Sequence, residues 1–315
     1  MKKKTVLSAF VILLYSLGVG YAQEPRREKL QFGDFEHWHT RVVKESRIVG
    51  GDSVKVYYIG PDGVSVKEGD LGLKTPWASS NVYAEIMGVT KTNVNVFPVQ
   101  GPTGKCVQIN TSLMSFKAMG MKVNVVTAGA IYTGHIDEPV KDMDDAYEKI
   151  DMGIPFTGKP DYLVFDYKAT VQNLGTITVA KSFKIRQKEG KDAAKVFILL
   201  QKRWEENGKV YAKRVGTGEL IVNKTTDWVK NHKLKINYGQ PQNENVYSEI
   251  CRLNSIFHTD NAKGKRVPIQ EVGWSGADEN PTHVIIYITS GSCGVYEGEV
   301  GNSLTVDNVQ FEYAR

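Results

Sequence analysis

The last apolar segment of the chain, SLTVDNVQFEY at residues 303–313, constrains the fold more than any other stretch. Its apolar residues occupy even positions in the first half and odd positions in the second: Leu304, Val306, Val309, Phe311 and Tyr313. Because successive side chains of a β-strand point to opposite faces, all of them can face one core only if the strand absorbs an extra residue. The pattern therefore predicts a closing strand with a β-bulge at Asp307 and Asn308.

Strand patterns recur along the rest of the chain. Residues 162–171 and 233–238 alternate apolar and polar side chains, which is typical of half-buried strands. Residues 196–200 and 284–289 are almost continuously apolar and suit central strands that are covered on both faces. The dipeptide Asn207-Gly208 tolerates positive φ and predicts a tight hairpin turn. Together these patterns predict an all-β fold, a two-sheet jelly-roll sandwich.

The N-terminus has the pattern of a cleaved signal peptide. Lysines at residues 2–4 precede an apolar stretch at residues 6–19, and Gly20-Tyr21-Ala22 forms a small-residue cleavage site. The apolar stretch is shorter than the ~20 residues that a membrane-spanning helix needs. No cysteine stands directly after this stretch, where a lipid could be attached, so we expect a non-lipidated protein that is periplasmic or secreted to the cell surface. The expected segments are a signal peptide at 1–22, a short linker at 23–32 and one domain at 33–315.

Charge and cysteine content narrow the classes of partner. The chain has 40 Lys and Arg residues against 35 Asp and Glu residues, and without the three lysines of the signal peptide the excess falls from five to two. This balance predicts no nucleic-acid partner and no membrane insertion after signal cleavage. The cysteines Cys106, Cys251 and Cys293 are too widely spaced for a metal motif, and one disulfide or buried unpaired thiols fit them equally well.

Several short motifs follow one another in a recognisable order. They are FEHW at 35–38, PWASSN at 76–81, GAIYTG at 129–134, GIPFTGKPDYLVFDYK at 153–168, NPTHVIIYITS at 280–290 and YEGEVGNSLTVDNVQFEY at 296–313. This series resembles the putative carbohydrate metabolism domain (PCMD) family over nearly the whole chain after the N-terminus. The resemblance implies a jelly roll like those of carbohydrate-binding modules, with a polysaccharide or oligosaccharide as partner. It supplies no catalytic residues. The stretch at 240–278 looks like an insertion.

A sugar-binding jelly roll needs aromatic planes for the apolar faces of pyranose rings, and amides or carboxylates for the hydroxyls. Trp77 with Asn81 is the first candidate, because small residues between them leave the indole ring accessible. Trp274, flanked by glycines and polar residues, is the second, and Tyr132 is the third. Each of these aromatics could instead anchor a loop on the core edge. The remaining tryptophans stand at strand ends and are expected in the core: Trp38, Trp204 and Trp228.

Glu36 and Asp307 form a candidate metal site. The first and last strands of such sandwiches commonly lie side by side, so the two carboxylates would repel each other unless a cation bridged them. The expectation is a structural Ca²⁺, although two carboxylates are far fewer than the 6–8 oxygen ligands that calcium takes. The alternative is that both side chains face solvent separately or bond loop amides.

Two other functions compete with glycan binding. A glycoside hydrolase needs only two carboxyl groups at a suitable spacing, and Asp166, Glu297 and Glu299 are candidates that the sequence cannot rank. A cell-surface module that binds protein would need a flat apolar patch instead. Common enzyme motifs, including H-E-x-x-H, G-x-S-x-G and C-x-x-C, do not occur in the sequence. The sequence thus favours an exported glycan-binding protein without turnover.

The signal-peptide hypothesis gives the first testable prediction. Cleavage after Ala22 should leave Gln23 as the first residue of the exported protein, because Gly20 and Ala22 occupy the small-residue positions of the cleavage site. N-terminal sequencing or intact-mass measurement of the envelope fraction checks this. Recovery of Met1 from that fraction would contradict it.

Overall fold

The computed structural model describes residues 24–66, 68–86, 88–118, 120–141 and 146–314. The predicted signal peptide lies outside these residues. Among the residues that are described, no helix has the length and apolar character that crossing a membrane requires.

The described chain is built almost entirely of β-strands, and its short helical turns are all 3-10 turns. In chain order, the strands are β1 (Arg26–Lys29), β2 (Trp38–Lys44), β3 (Ser53–Ile59), β4 (Gly63–Ser65), β5 (Trp77–Ser79), β6 (Val82–Ile86), β7 (Val89–Asn93), β8 (Val96–Gln100), β9 (Lys105–Ala118), β10 (Met121–Ala128), β11 (Ala130–Ile136), β12 (Ile150–Met152), β13 (Ile154–Pro155), β14 (Tyr162–Thr170), β15 (Thr176–Ala180), β16 (Ile185–Glu189), β17 (Ala194–Glu206), β18 (Lys209–Val222), β19 (Thr226–Lys235), β20 (Asn237–Tyr238), β21 (His258–Asp260), β22 (Arg266–Trp274), β23 (His283–Thr289), β24 (Glu297–Gly298) and β25 (Ser303–Tyr313). The 3-10 turns are Arg47–Val49, Ala146–Lys149, Glu244–Val246 and Glu249–Cys251. The all-β prediction is confirmed.

Two large sheets hold most of these strands. The seven-stranded sheet has the order β10-β9-β25-β14-β19, with β1 paired to β25 and β8 paired to β9. The ten-stranded sheet has the order β12-β11-β23-β17-β18-β22-β21, with β5 on β11, β13 on β23 and β20 on β18. Smaller sheets are β16-β15-β24, β3-β2-β4 and β6-β7.

The main hydrophobic core lies between the two large sheets. The seven-stranded sheet contributes residues such as Ile109, Leu163, Phe165, Leu304 and Val306, and the ten-stranded sheet contributes Ile131, Val196, Ile198, Leu200 and Ile286. All of these side chains are fully buried. Alternate residues from two facing sheets are how a β-sandwich fills its core, so the sandwich layout holds. The finer jelly-roll topology stays a prediction.

The closing strand β25 has the bounds and the bulge that its sequence predicts. It lies between β9 and β14, and its pairing with β14 shifts by one residue where Gln310 opposes Val164 but Asp307 opposes Asp166. Asn308 absorbs the extra residue with a positive φ of 56°, a conformation that Asn tolerates better than most residues. The bulge at Asp307 and Asn308 is therefore confirmed.

The two longest strands of the ten-stranded sheet, β17 and β18, form one hairpin. The turn consists of Asn207 and Gly208, with φ values of 52° and 75°, as the dipeptide predicts for a tight turn. The inner halves of the two strands pack into the main core. Their outer halves, next to the turn, project past it.

A second hydrophobic cluster covers the opposite face of the ten-stranded sheet. It includes Tyr132, Phe197, Leu199, Tyr247 and Phe257, the last two from the stretch that the sequence marks as an insertion. The part of that stretch up to Phe257 therefore packs over the sheet, and the part after it supplies β21 and β22 to the same sheet.

Candidate functional site

Trp77 is a core residue. Its side chain is only 3% exposed, its ring lies 5.5 Å from that of Phe35, and its indole Nε1 donates a 3.0 Å hydrogen bond to the Gln31 carbonyl. Trp77 begins β5, which pairs with β11 inside the ten-stranded sheet. The expectation that this ring is accessible is wrong, because the loop read from the sequence is a paired strand.

Asn81 is fully buried, and backbone groups use its amide completely. Its Nδ2 donates to the carbonyls of Tyr57 and Val96 at 3.0 and 2.6 Å. Its Oδ1 accepts from the amides of Asn95 and Val96 at 2.8 and 2.9 Å. A side chain with every donor and acceptor already bonded fixes three chain segments to one another and has no capacity left for a sugar.

Tyr132 belongs to a buried aromatic row that crosses three neighbouring strands. Its ring stacks on Tyr287 at 5.7 Å and 10°, and Tyr287 stacks on Phe197 at 5.1 Å and 8°. Tyr132 is 2% exposed, and its hydroxyl donates to the Ser79 carbonyl at 3.2 Å. The row therefore stabilises the covered face of the sheet rather than presenting Tyr132 to a ligand.

Trp274 is half-buried and fastens the 3-10 turn of Glu244 to the sheet. Its Nε1 donates a 2.7 Å hydrogen bond to the Glu244 carboxylate, and its ring lies 5.7 Å from the guanidinium of Arg214. Arg214 is fully buried and binds Glu271 through two nitrogens. A role for Trp274 in sugar binding stays a prediction.

Glu36 and Asp307 lie close enough for the charge of one to affect the other. Burial raises the pKa of Asp307 to about 6, and the nearby charges of Asp166 and Glu36 act in the same direction. Glu36 accepts a 3.1 Å hydrogen bond from the Lys105 amide. In the described parts of the chain, no group of three or more His, Cys, Asp or Glu side chains is arranged to hold a metal ion. A calcium ion at these two carboxylates stays a prediction.

All three cysteines are free thiols: Cys106, Cys251 and Cys293.

The three candidate hydrolytic carboxylates lie in separate places. Asp166, on β14, accepts hydrogen bonds from the Asn231 amide at 2.6 Å and from Asn308 Nδ2 at 3.0 Å. Glu297, on β24 of a different sheet, pairs with Lys188, and the carboxylate of Glu299 is buried against the Leu174 amide. Each carboxylate is thus engaged in a local structural contact.

An exposed aromatic pair lies on the projecting part of the β17–β18 hairpin. Trp204 and Tyr211 are direct cross-strand partners, their ring centroids are 5.8 Å apart, and the ring planes differ by 22°. Trp204 is 39% exposed and Tyr211 is half-buried. The prediction that Trp204 is a core residue is wrong, whereas that for Trp38, 6% exposed, is confirmed; Trp228 is half-buried.

The position of Trp204 follows from the period of its strand. Val196, Ile198 and Leu200 face the main core, so Trp204 points to the same face, four residues beyond Leu200. There the hairpin has passed the core, and the face is open. Neighbouring positions on three strands extend it, and we call this surface the hairpin face: Lys202, Trp204, Tyr211, Lys213, Gln270 and Val272.

The sequence contained a signal for the aromatic pair. A two-residue turn at Asn207 and Gly208 sets residues at equal distances on either side opposite each other, so Trp204 must face Tyr211. The sequence does not show how far along the hairpin the opposing sheet extends. The extent of that sheet decides whether the pair is buried or exposed.

A cleft of about 900 Å³ lies on the other side of the ten-stranded sheet. Its walls are mainly aliphatic and aromatic, and include Val82, Val89, Met114, Phe116, Val123 and Val125. Of the described residues that line it, Glu249 is the one carboxylate. A hydrolase of the usual type needs two carboxyl groups across the scissile bond, and the lining described does not supply such a pair.

One polar cluster stands in the wall of this cleft. The buried Lys195 ammonium donates to Ser248 Oγ at 2.7 Å and lies 3.3 Å from the Glu219 carboxylate. Burial raises the pKa of Glu219, but the hydrogen bonds from Ser248 and the charge of Lys195 outweigh it and lower the pKa. An ionised carboxylate paired with a lysine holds the segment at Ser248 onto β17 and β18.

A comparison with models of protein families agrees with the motifs. The sequence model of the putative carbohydrate metabolism domain matches residues 34–312. A crystal structure described as a putative glycoside hydrolase from Bacteroides vulgatus ATCC 8482 is 14% identical in sequence, with a TM-score of 0.42, and covers 91% of this chain and 94% of its own. A comparison with curated proteins gives no match.

The burial of Trp77 gives a stability prediction. Trp77→Ala should lower the free energy of unfolding by about 3–5 kcal/mol, because it leaves a cavity beside Phe35. Urea denaturation measures the loss. Trp204→Ala is the matched control, since an exposed tryptophan should cost far less. If Trp77→Ala unfolded at the same urea concentration as the parent, the core assignment would be wrong.

The raised pKa of Asp307 gives a pH prediction. An unfolded Asp titrates near 3.9, so between about pH 4 and pH 6 the folded state binds more protons than the unfolded state. The contribution of Asp307 to the free energy of unfolding therefore increases as the pH falls through 6, and it is lowest at neutral pH. Asp307→Asn should raise the melting temperature at pH 7.5, with an advantage that shrinks toward pH 4.

A calcium titration completes this test. If Ca²⁺ binds between Glu36 and Asp307, it should raise the melting temperature of the parent at pH 7.5 by mass action, and it should not affect Asp307→Asn. An unchanged melting curve of the parent would remove the calcium hypothesis. If the parent and Asp307→Asn were equally stable at pH 7.5, the Asp307 carboxylate would not be the buried group with a raised pKa that this prediction requires.

Proposed function

The chain belongs to the putative carbohydrate metabolism domain family, and we propose on this basis that it is an exported protein that binds a glycan on its hairpin face without cleaving it. The observation that carries the proposal is the exposed, nearly parallel pair of Trp204 and Tyr211. Aromatic rings offer broad apolar surface to the apolar faces of pyranose rings at a small cost in conformational entropy.

Residues next to the aromatic pair supply polar groups on the same face of the sheet. Gln270 lies beside Tyr211 on β22, and Lys202 and Lys213 lie one step further from the turn. An amide can both donate to and accept from sugar hydroxyls, whereas an ammonium donates. The combination of aromatic rings and hydrogen-bonding groups on one face of the sheet suits an extended polysaccharide.

The side chains of the face support binding rather than catalysis. A glycosidase must hold two carboxyl groups on opposite sides of the scissile bond. The six residues that define the hairpin face include no carboxyl group. Export is the second part of the proposal, and it is supported by the signal-like sequence of residues 1–22.

The test is a truncation of the stacking ring. Trp204→Ala should weaken binding by roughly thirtyfold, since hot-spot aromatics typically contribute about 2 kcal/mol or more, and its melting temperature should stay near that of the parent. Affinity gels with soluble polysaccharides measure binding on the mature protein, and a reducing-sugar assay on the same mixtures measures cleavage.

Phe183→Ala is the matched control, because Phe183 is an exposed aromatic, 55% accessible, on a different part of the surface. It should bind like the parent. Unchanged binding by Trp204→Ala would rule out the hairpin face as the glycan site. Release of reducing ends by the parent would show turnover, and binding of the face to a protein instead of any glycan would favour an interaction module.

A further inference from the structure

Two lysines of the hairpin face stand directly opposite each other. Lys202 on β17 and Lys213 on β18 are cross-strand partners, two residues from Trp204 and Tyr211 respectively. Side chains in such a pair have their Cβ atoms about 4.5–5.5 Å apart, and like charges in this position destabilise the sheet. The fold therefore places two positive charges together beside the aromatic pair.

One of these charges is compensated and the other is not. Lys202 forms an ion pair with Glu279, and both side chains are partly exposed. Lys213 is exposed and forms no ion pair with any residue that the structure describes. Nearer the turn, Glu206 and Lys209 are cross-strand partners of opposite charge and balance each other. Lys213 thus leaves a positive charge next to the stacking plane.

Lys159 contacts the loop that carries Glu279. Its ammonium donates a 2.7 Å hydrogen bond to the carbonyl of Ala277, two residues before Glu279, and lies 5.2 Å from the Tyr238 ring. Asp278 and Glu279 are the acidic groups of the same loop. Among the described residues, Lys213 is therefore the lysine beside the aromatic pair that has no ion-pair partner, because Lys202 is paired with Glu279.

From this arrangement we infer that the glycan carries anionic substituents, carboxylate or sulfate, with a sugar ring on Trp204 and Tyr211 and its anionic group at Lys213. The inference rests on the proposed function and names the class of glycan. Positions two residues apart along a strand are separated by about 7 Å, a distance that a lysine side chain spans to reach a substituent on a stacked pyranose. Hydrogen bonds between an ammonium and an anionic oxygen are among the strong ones.

The experiment compares polymers that differ mainly in charge. Polygalacturonate, methyl-esterified polygalacturonate, a sulfated galactan and a neutral galactan are tested by affinity gel and calorimetry at 50 and 300 mM NaCl. An anionic polymer should bind at least tenfold more tightly than the neutral galactan, and salt should weaken that binding because it screens charges on an exposed face. Methyl esterification removes the negative charge of polygalacturonate without changing its backbone, and the comparison of polygalacturonate with the sulfated galactan distinguishes carboxylate from sulfate as the anion.

Lys213→Gln tests the residue itself. This exposed substitution should preserve the fold and weaken binding of the anionic polymer by about tenfold. Lys230→Gln is the matched control, because Lys230 is an exposed lysine on β19 of the other large sheet, and it should bind like the parent. A double-stranded DNA of similar charge should bind poorly, since it offers no pyranose face.

The outcomes separate this inference from the proposed function. If the neutral galactan binds as tightly as the anionic polymers and Trp204→Ala abolishes that binding, the glycan site stands and the anionic class is overturned. Equal binding by Lys213→Gln and the parent overturns it too. If DNA binds as well as the polysaccharides, the face responds only to charge. If no polymer binds, both the proposed function and this inference fail.

Discussion

The central position of β25 is the constraint on which the sandwich depends. It pairs with β9 on one side and β14 on the other, and β1 adds to its far half. Leu304 and Val306 before the bulge, and Val309 and Phe311 after it, all reach the main core because Asn308 absorbs one residue. Without that bulge one half of the strand would turn its apolar side chains away from the core, and the seven-stranded sheet would lose its centre.

The same bulge explains why a carboxylate sits in an unfavourable place. It sets Asp307 opposite Asp166 on β14, and Asn308 Nδ2 bonds the Asp166 carboxylate at 3.0 Å. Asp166 thus accepts hydrogen bonds from both Asn231 and Asn308, whereas Asp307 is buried with fewer partners, which raises its pKa. The bulge that lets both halves of β25 face the core thus places the Asp307 carboxylate where its ionised form is unfavourable.

The features that depend on a local sequence pattern could be predicted from the sequence. The bounds of the closing strand, the bulge, the strands beginning at Tyr162 and His283 and the turn at Asn207 all follow from parity, apolar runs or turn chemistry. The candidate site depends on long-range pairing instead. The segment around Trp77 looks like an open loop of small residues, yet it pairs with β11 in the sheet, and no local pattern reveals that partner. The prediction that Trp204 is buried was wrong for the opposite reason, because its strand continues past the end of the core.

The cleft and the hairpin face differ in what each would offer to a sugar. A sugar carries a hydroxyl on most ring carbons, and moving such groups from water into an apolar cavity costs free energy unless each finds a partner. The aliphatic walls around Val123 and Val125 offer few partners, and the buried Lys195 is already bonded to Ser248 and paired with Glu219. A sugar bound on the hairpin face, as proposed, would be desolvated on one side only, against Trp204 and Tyr211, and the hydroxyls on its other side would stay in water. If a glycan binds through one apolar face, the free energy of desolvation therefore favours the small exposed hairpin face over the large apolar cleft.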